Sequence, residues 1–216
     1  MLSVIVPVRN EPDLTPFLLR LHEVVGEVEG GYEVLVVTGD RESLHAQVPV
    51  FPHQRVIKTY GDSLERSILN GFSHARGEII VVLDADGSHP VEEIPRMMRL
   101  SSSVDLVVGS RYMGDSRFTG SLFRKTVSRF FTFLAHRAGS RLADPMSGFF
   151  MVRSSSLSAL HFRPLAWKTA LEVEMQVPFV TEFPIRFRER ERGFSKASMK
   201  IGLKLMIQLL GVILLE

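Results

Sequence analysis

Residues 79–90 read IIVVLDADGSHP, in which five apolar residues lead into two aspartates separated by one alanine. The aliphatic run is typical of a strand that is buried on both faces of a parallel sheet. An ordinary buried strand ends in a neutral turn, whereas this one ends in paired negative charge at Asp84 and Asp86. We therefore expect the end of this strand to have a chemical role.

The segments on either side alternate between strand and helix patterns. Apolar residues repeat at helical spacing after Asp13 or Thr15, either of which would cap that helix. A second helix is expected over 63–76, ending at Gly77, and a third over 124–139. This alternation predicts an α/β fold with a mostly parallel sheet that is flanked by helices. The predicted strands are 3–8, 32–37, 55–60, 78–83 and 104–110.

Polar side chains follow three of these strands, at the point where each strand ends. They are Asn10 and Glu11 after the first strand, Asp84 and Asp86 after the fourth, and Arg111 after the fifth. Parallel strands end at the same edge of a sheet, and ligands of α/β proteins bind beyond that edge. We therefore expect these side chains to share one site.

The composition is that of a globular enzyme and excludes several kinds of site. With 45% apolar and 23% charged residues, the 216-residue chain suits one domain with a substantial core. The absence of cysteine excludes disulfides, thiolate metal sites and a cysteine nucleophile, and it fits an intracellular compartment. No signal peptide is recognised, and no apolar run reaches the roughly 18–20 residues that span a bilayer.

Two interpretations of the Asp84–Asp86 pair stay open at this point. In an extended chain, alternate side chains share a face, so both carboxylates would converge on one cation. Oxygen ligands suit Mg²⁺ or Mn²⁺, and Mg²⁺ commonly combines one or two carboxylates with substrate phosphates. The alternative is an acidic turn before a helix that starts at Pro90, with Ser88 as its cap. The position after a buried strand favours the metal site.

Basic residues lie in several separate segments and cluster at 186–196 (RFRERERGFSK), although the net charge is only +2. A diphosphate and a phosphate acceptor together need several cationic donors, and arginine offers a planar fork to phosphate oxygens. The alternative is that each basic residue is an ordinary surface charge. The candidates are Arg111, Arg124, Lys125, Arg190 and Lys196.

Six stretches, in this order, resemble the inverting family 2 glycosyltransferases. Within that family they resemble the dolichyl-phosphate mannose synthases and related polyprenyl-phosphate glycosyltransferases. The resemblance covers most of the chain; ADPMSGFF is the stretch most specific to this branch, and D-x-D is the least specific. The stretches are VIVPVRNE (4–11), GFSHARGEIIVVLDADGSHPVEEIP (71–95), VVGSRY (107–112), FRKTVSR (123–129), ADPMSGFFMVRS (143–154) and FRERERGFSK (187–196).

The resemblance implies a GT-A-type, Rossmann-like fold, Mg²⁺ or Mn²⁺ as cofactor, and a role for each matched residue. It makes Asp84, Asp86 and Arg111 catalytic. It assigns the nucleotide sugar to Pro7, Arg9, Asn10, Glu11, Val36, Asp84, Ala85, Asp86, Arg190 and Lys196. It assigns the acceptor phosphate to Arg111, Arg124 and Ser128, and the metal to Asp84, Asp86 and Ser88. The segment from Asp144 to Phe150 would border the site, and His89 is expected to be structural.

The implied reaction transfers mannose from GDP-mannose to dolichyl or another polyprenyl phosphate. The acceptor is a phosphate monoester, largely ionised near neutral pH, so no side chain has to remove a proton from the nucleophile. The rate would come from positioning and from neutralising the leaving diphosphate, and direct attack would give a β-linked product. The expected location is peripheral, on the cytoplasmic face of a membrane, and a separate membrane subunit is a candidate partner.

Three positions depart from the family pattern. Arg9 stands where the family has a tyrosine. Thr38 and Gly39 follow the second strand, where the family usually has paired aspartates, one of which helps to recognise the base. Ser88 stands in place of a metal-binding glutamine. The first two departures leave the base of the donor open, and the third leaves the metal's ligand set open.

The last residues are expected to form a helix of their own, at 196–216, after a catalytic domain at 1–195. Lys196, Lys200 and Lys204 recur every four residues, and the residues that follow are almost entirely apolar. This pattern predicts a basic amphipathic helix lying in a membrane interface. The alternatives are a helix packed on the core or on a second copy, and a chain cut just before a membrane segment.

Three other functions also stay open. The nearest is the same reaction with UDP-glucose or a UDP-N-acetylhexosamine. A sugar-1-phosphate nucleotidyltransferase would also use an α/β sheet and Mg²⁺, but it opens with a glycine-rich loop, and PVRNEP (7–12) has no glycine. The third is a catalytically inactive, membrane-associated homologue, against which the retained Asp84, Asp86 and Arg111 argue. The sequence has no motif that reads nucleic acid, which is therefore not an expected partner.

Overall fold

A computed structural model describes residues 1–9, 11, 14–39, 47–61, 63–114, 122–162, 168–186 and 206, with only the backbone at 122–125. Its strands are β1 (Leu2–Val8), β2 (Tyr32–Thr38), β3 (Gln54–Lys58), β4 (Ile79–Val82), β5 (Leu106–Ser110), β6 (Phe150–Arg153) and β7 (Val180–Pro184). Its helices are α1 (Thr15–Gly26), α2 (Leu64–His74), α3 (Ile94–Ser101), α4 (Leu122–Arg137), α5 (Ser154–Leu157) and α6 (Thr169–Glu174), with a 3₁₀ turn at Val91–Glu93.

The seven strands of the described chain form one sheet in the order β3-β2-β1-β4-β6-β5-β7. Every neighbouring pair is parallel except those of β6, which runs antiparallel to both β4 and β5. The prediction of a mostly parallel α/β sheet is confirmed. Because β6 is reversed, its first residue, Phe150, pairs with Val82 at the end of β4. The edge at which β1, β4 and β5 end is therefore also the edge at which β6 begins.

The central strands are largely apolar because helices cover both faces of the sheet. In β1, Val4 and Val6 pack into the cluster that contains Leu18 of α1, whereas Ile5 packs into the opposite cluster with Ile68 of α2. All of these side chains are almost completely buried. A strand buried on both faces needs apolar side chains at consecutive positions, which is the pattern that IIVVL also shows.

Two glycines allow α2 and the chain after it to lie close to β1. A Cβ at Gly71 would lie 2.6 Å from Cγ2 of Ile5, so only glycine fits where α2 crosses the strand. A Cβ at Gly77 would lie 2.6 Å from the backbone nitrogen of Ser3. The prediction that the helix ends at Gly77 is wrong, because α2 ends at His74 and Gly77 instead donates its N–H to Oγ of Ser3 at 2.8 Å.

Other expectations also need correction. Thr15 is the first residue of α1, and Leu14 at the N-cap position makes no side-chain capping bond, while Asp13 lies outside the described residues. Strand ends differ by one or two residues from those predicted; β3 stops at Lys58, and β5 begins at Leu106. The strands β6 and β7 and the helix α6 were not predicted. The four-residue β6 and five-residue β7 depend on pairing with β4 and β5, which short runs of mixed residues do not specify.

Candidate active site

The turn after β4 places both aspartates on its outer side. The chain bends at residues 85–87 instead of staying extended, and Gly87 takes a φ of +73°, which favours glycine. Ala85 is buried in the core, while Asp84 and Asp86 on either side of it are partly exposed. The two aspartates are therefore both partly exposed, with a buried residue between them, as expected of alternate residues in an extended strand, although the chain here is bent.

Ser88 holds one oxygen of Asp86 from within the turn. Its backbone N–H donates to Oδ1 of Asp86 at 3.0 Å, and its hydroxyl donates to the same oxygen at 2.5 Å. Ser88 itself is buried, with 1% of its surface exposed. In this arrangement the hydroxyl orients Asp86, and the direct role of Ser88 as a metal ligand stays a prediction.

The imidazole of His89 stabilises the turn by accepting a hydrogen bond from its backbone. The backbone N–H of Asp84 donates to Nδ1 of His89 at 2.9 Å, and the imidazole stacks on Phe149 with ring centres 5.4 Å apart. Burial lowers the pKa of His89, against the attraction of Asp84 and Asp86, which would raise it. A neutral ring that accepts at Nδ1 carries its proton on Nε2. The geometry agrees with the expected structural role.

Four segments that are distant in sequence meet in one cleft. They are the end of β4, the first residue after β5, the loop before β6 and the residue before α6. The cleft brings together Asp84 and Arg111, both predicted as catalytic, whereas Asp86 lies in the adjoining turn. Lys168 adds a second cation, which no sequence motif indicates. The lining residues are Asp84, His89, Arg111, Met146, Ser147, Gly148 and Lys168.

Arg111 is held in the cleft by the buried carboxylate of Asp144. Its Nε and Nη2 donate to the two oxygens of Asp144, each at 2.7 Å, and its backbone N–H donates to Oδ2 at 3.0 Å. Asp144 has no exposed surface. Burial acts to lower the pKa of Arg111, but the hydrogen bonds and charge of Asp144 outweigh this effect and raise it. Arg111 therefore stays charged and fixed.

The predicted acceptor residues are connected through Tyr112. Its hydroxyl donates to Oγ of Ser128 at 2.8 Å, and its ring lies 5.6 Å below the guanidinium carbon of Arg111. Ser128 is on α4, and Arg124 precedes it by one helical turn, so both belong to the same helix face. The side chain of Arg124 lies outside the described structure. The geometry thus brings Arg111 and Ser128 into one neighbourhood.

The predicted nucleotide-binding residues have mixed positions. Arg9 and Glu11 follow the end of β1 at the site edge, whereas Pro7 and Val36 are buried within β1 and β2. Neither buried residue presents side-chain surface to the cleft, so their assignment stays a prediction. Three other assigned residues lie outside the described residues, namely Asn10, Arg190 and Lys196.

The donor set of the turn fits a divalent cation that binds together with a substrate. Asp84 and Asp86 offer carboxylate oxygens, the ligands that Mg²⁺ and Mn²⁺ prefer. Among the residues that the structure describes, no three His, Asp or Glu side chains form a ready-made metal cage. Mg²⁺ commonly combines one or two carboxylates with substrate phosphates and water, and the Asp84–Asp86 pair suits that mode of binding.

The described part of the chain contains no helix that is both long and apolar enough to cross a membrane. The tail expected at 196–216 falls outside this statement except for Met206. Met206 is partly buried and packs against the cluster formed by α4 and its neighbours.

Comparison with known proteins gives the same family and branch as the motifs. The model of the family described as Glycosyl transferase family 2 matches residues 3–160. The chain is 28% identical over 215 residues to a dolichol-phosphate mannosyltransferase of Pyrococcus furiosus, covering 92% of this chain and 59% of that protein. It is 27% identical over 227 residues to the enzyme of that name from Saccharomyces cerevisiae, covering 96% and 85%.

A third relative carries a different sugar in its name. An undecaprenyl-phosphate 4-deoxy-4-formamido-L-arabinose transferase of Sodalis glossinidius is 29% identical over 219 residues, covering 96% of this chain and 66% of that protein. The chain thus spans about six-tenths of the Pyrococcus furiosus relative and about two-thirds of this one.

Solved structures show the same fold. Glucosyl-3-phosphoglycerate synthase of Mycobacterium tuberculosis, crystallised with Mn²⁺, UDP and phosphoglyceric acid, matches with a TM-score of 0.69 and 14% identity, covering 98% of this chain and 78% of that chain. The same enzyme with Mg²⁺ and UDP also gives a TM-score of 0.69 and 14% identity, covering 98% and 79%. At this identity the likeness shows the fold alone, and it confirms the predicted GT-A-type architecture.

Proposed function

This chain belongs to glycosyl transferase family 2, and on this basis we propose that it transfers a sugar from a nucleotide donor to a polyprenyl phosphate. The observation that carries the proposal is the cleft in which Asp84 and Arg111 meet. A carboxylate that suits a cation lies there beside a fixed guanidinium that suits phosphate oxygens. The names of the relatives support a polyprenyl-phosphate acceptor.

The reaction needs no protein base. An oxygen of the acceptor phosphate forms a bond to the anomeric carbon, and the bond from that carbon to the donor diphosphate breaks. The diphosphate leaves with the electron pair, and the phosphate nucleophile has no proton to lose. Attack from the side opposite the leaving group inverts the centre, so an α-linked donor gives a β-linked product.

Different residues would act on the acceptor phosphate and on the donor diphosphate. Arg111, Tyr112 and Ser128 would orient the acceptor phosphate, and Arg124 would reach it from the same face of α4. On the donor side, Asp84 and Asp86 would hold Mg²⁺ or Mn²⁺, which neutralises the charge of the leaving diphosphate. Arg190 and Lys196 would contact that diphosphate. Positioning and electrostatic neutralisation then supply most of the rate.

The donor that we propose is GDP-mannose, which agrees with the mannosyltransferase names of two relatives. A UDP-sugar donor, carrying glucose or an N-acetylhexosamine, is the second candidate. It stays a candidate because Thr38 and Gly39, at the end of β2, stand where the family usually has paired aspartates, one of which helps to recognise the base. An inactive homologue that only binds membranes is the outcome that a failed assay would support.

We also propose that the protein works at the cytoplasmic surface of a membrane, because a polyprenyl acceptor is embedded in lipid. The basic, apolar tail at 196–216 would then lie in the interface. A separate membrane subunit would be an additional partner.

A transfer assay with a panel of donors tests the function. Purified protein is incubated with Mn²⁺, a short polyprenyl phosphate and, in turn, GDP-mannose, UDP-glucose and UDP-N-acetylglucosamine. The proposal expects turnover that is highest with GDP-mannose, and a loss of activity of at least about a hundredfold in Asp84→Asn. Asp105→Asn is the matched control, because Asp105 bonds Ser156 and Phe179 far from the cleft. If no donor supports transfer, the proposal that this protein is a glycosyltransferase enzyme is wrong.

A further inference from the structure

Glu182, a residue of β7 that no motif marks, joins the sheet to the loop before β6. One of its carboxylate oxygens, Oε1, accepts the backbone N–H of Asp144 at 2.9 Å, and Oε2 accepts that of Ala143 at 2.7 Å. Glu182 pairs in register with Val108 of β5, the strand that ends just before Arg111. Its carboxylate therefore fixes two consecutive peptide groups of the loop relative to the end of β5.

The same loop residue fixes the cleft arginine. Asp144 is held through its backbone by Glu182, and its side chain accepts three N–H donors of Arg111. A rotation of the peptide group at 143–144 would displace the Asp144 carboxylate, and the guanidinium would follow it. Hydrogen bonds thus connect Glu182 to Asp144, and Asp144 to Arg111 in the cleft.

We propose that Glu182 is a positioning residue that sets the orientation of Arg111 through Asp144. This inference rests on the proposed function only for its kinetic consequence. A long, flexible arginine serves a phosphate best when its plane is fixed before the substrate arrives, because small displacements of a reacting group cost large factors in rate. Glu182 supplies that fixation from a strand that does not border the cleft.

The chain offers a matched control for an ordinary buried carboxylate. Glu174 of α6 accepts the backbone N–H of Arg141 at 2.7 Å and the hydroxyl of Ser140 at 2.6 Å. It therefore anchors the same loop a few residues upstream, by the same kind of bond, without a hydrogen bond to Asp144 in the described structure. Replacing it with glutamine should disturb folding about as much as replacing Glu182.

A double-mutant cycle separates positioning from general stability. Glu182→Gln is expected to lower kcat/KM for the polyprenyl phosphate about tenfold, with the KM for the donor unchanged within about twofold. Arg111→Lys should lower kcat/KM about a hundredfold, and adding Glu182→Gln to it should cost no more than about twofold further, because the residue to be positioned is already gone. The effects of Glu174→Gln and Arg111→Lys should instead multiply. If the effects of Glu182→Gln and Arg111→Lys also multiply, the inference is wrong.

A second measurement does not depend on catalysis. The Nε–H of Arg111 can be followed by ¹⁵N NMR, with Arg111→Lys used to assign the signal. Its exchange with water should become at least about tenfold faster in Glu182→Gln and stay within about twofold in Glu174→Gln, since exchange requires that the hydrogen bond opens. Equal exchange in all three proteins would overturn the inference. An inactive wild type with this exchange pattern would refute the proposed function and leave the positioning role intact.

Discussion

Single residues decide how the turn after β4 presents its carboxylates, and Ser88 is the residue to test. Removing its hydroxyl leaves the backbone N–H as the remaining Ser88 donor to Asp86. We predict that Ser88→Ala raises the Mn²⁺ concentration for half-maximal activity about tenfold, because groups that orient a ligand typically contribute that much to metal affinity. Activity measured as a function of Mn²⁺ concentration tests this prediction. The control is Ser102→Ala, which replaces an exposed serine just after the end of α3. An unchanged Mn²⁺ dependence would show that the hydroxyl does not matter.

A buried carboxylate away from the cleft predicts how stability depends on pH. Burial, followed by the negative charge of Glu172, raises the pKa of Glu65 to about 7. Its Oε1 has no hydrogen-bond partner in the described structure. The unfolded chain loses this proton near pH 4.5, so between that value and about 7 the folded protein binds the extra proton and becomes less stable as pH rises.

Glu65→Gln removes this cost of ionisation. We predict little change in the free energy of unfolding near pH 5 and an increase of about 1–3 kcal/mol at pH 8. Urea unfolding at both pH values measures the difference. Glu78→Gln, at an exposed position, should change neither value by more than about 0.5 kcal/mol. A gain of equal size at pH 5 and pH 8 would rule out the ionisation of Glu65 as the cause.

The residues that sequence alone identified are those next to a strand end. Asp84 and Arg111 could be predicted because each lies within two residues of the end of a mainly apolar strand, and a parallel sheet brings such positions to one edge. Lys168 and the Glu182 contact could not, because their place in the site depends on β6, β7 and α6 folding back onto the sheet. No local pattern encodes that pairing.

At the scale of elements, the contact between α2 and β1 depends on one glycine. An alanine methyl at position 71 would lie 2.6 Å from Cγ2 of Ile5, so the helix or the strand would have to shift. We predict that Gly71→Ala lowers the free energy of unfolding by about 1–3 kcal/mol, the usual cost of overpacking a core. Gly26→Ala is the matched control: it is the last residue of α1, and nothing lies within 4 Å of its added Cβ. Urea unfolding that shows equal stability for both variants would contradict this packing.

The elements that were predicted correctly carry a strong local signal. The strand β4 is a continuous apolar run, β1 and β2 each contain an apolar run of at least four residues, and α2 and α4 have helical periodicity. In contrast, α6 is six residues long and buried on every side, and half of its residues are polar, so it lacks the separation into an apolar and a solvent-facing polar side that marks an amphipathic helix. Its position shows only when the sheet that it covers is known.

For the whole molecule, the reversed strand β6 is what completes the site. It carries the loop that contains Asp144, Ser147 and Gly148 back to the edge where β4 and β5 end. A wholly parallel sheet would place the beginning of that strand at the opposite edge. The motif ADPMSGFF could be recognised in the sequence, but its place beside Asp84 depends on this topology.

The membrane contact proposed for the tail is also a property of the whole molecule. We predict that Lys200→Glu with Lys204→Glu reduces flotation with anionic liposomes about tenfold or more, because each basic residue near such a surface contributes about 1 kcal/mol. Lys58→Glu with Arg99→Glu, which replaces exposed basic residues of β3 and α3, is the charge-matched control. Equal flotation of the tail variant and the wild type would favour the alternative that the tail packs on the domain. The contact of Met206 with the apolar cluster around α4 is consistent with that alternative.

The most direct test of the central claim is the identity of the bond that the protein makes. Purified protein, Mn²⁺ and an α-linked nucleotide sugar are incubated with a short polyprenyl phosphate or with the corresponding alcohol, and the product is examined by NMR. Asp84 and Arg111 acting on a phosphate nucleophile should give a β-linked polyprenyl-phosphate sugar, and the alcohol should give none. An α-linked product, or equal transfer to the alcohol, would contradict the account.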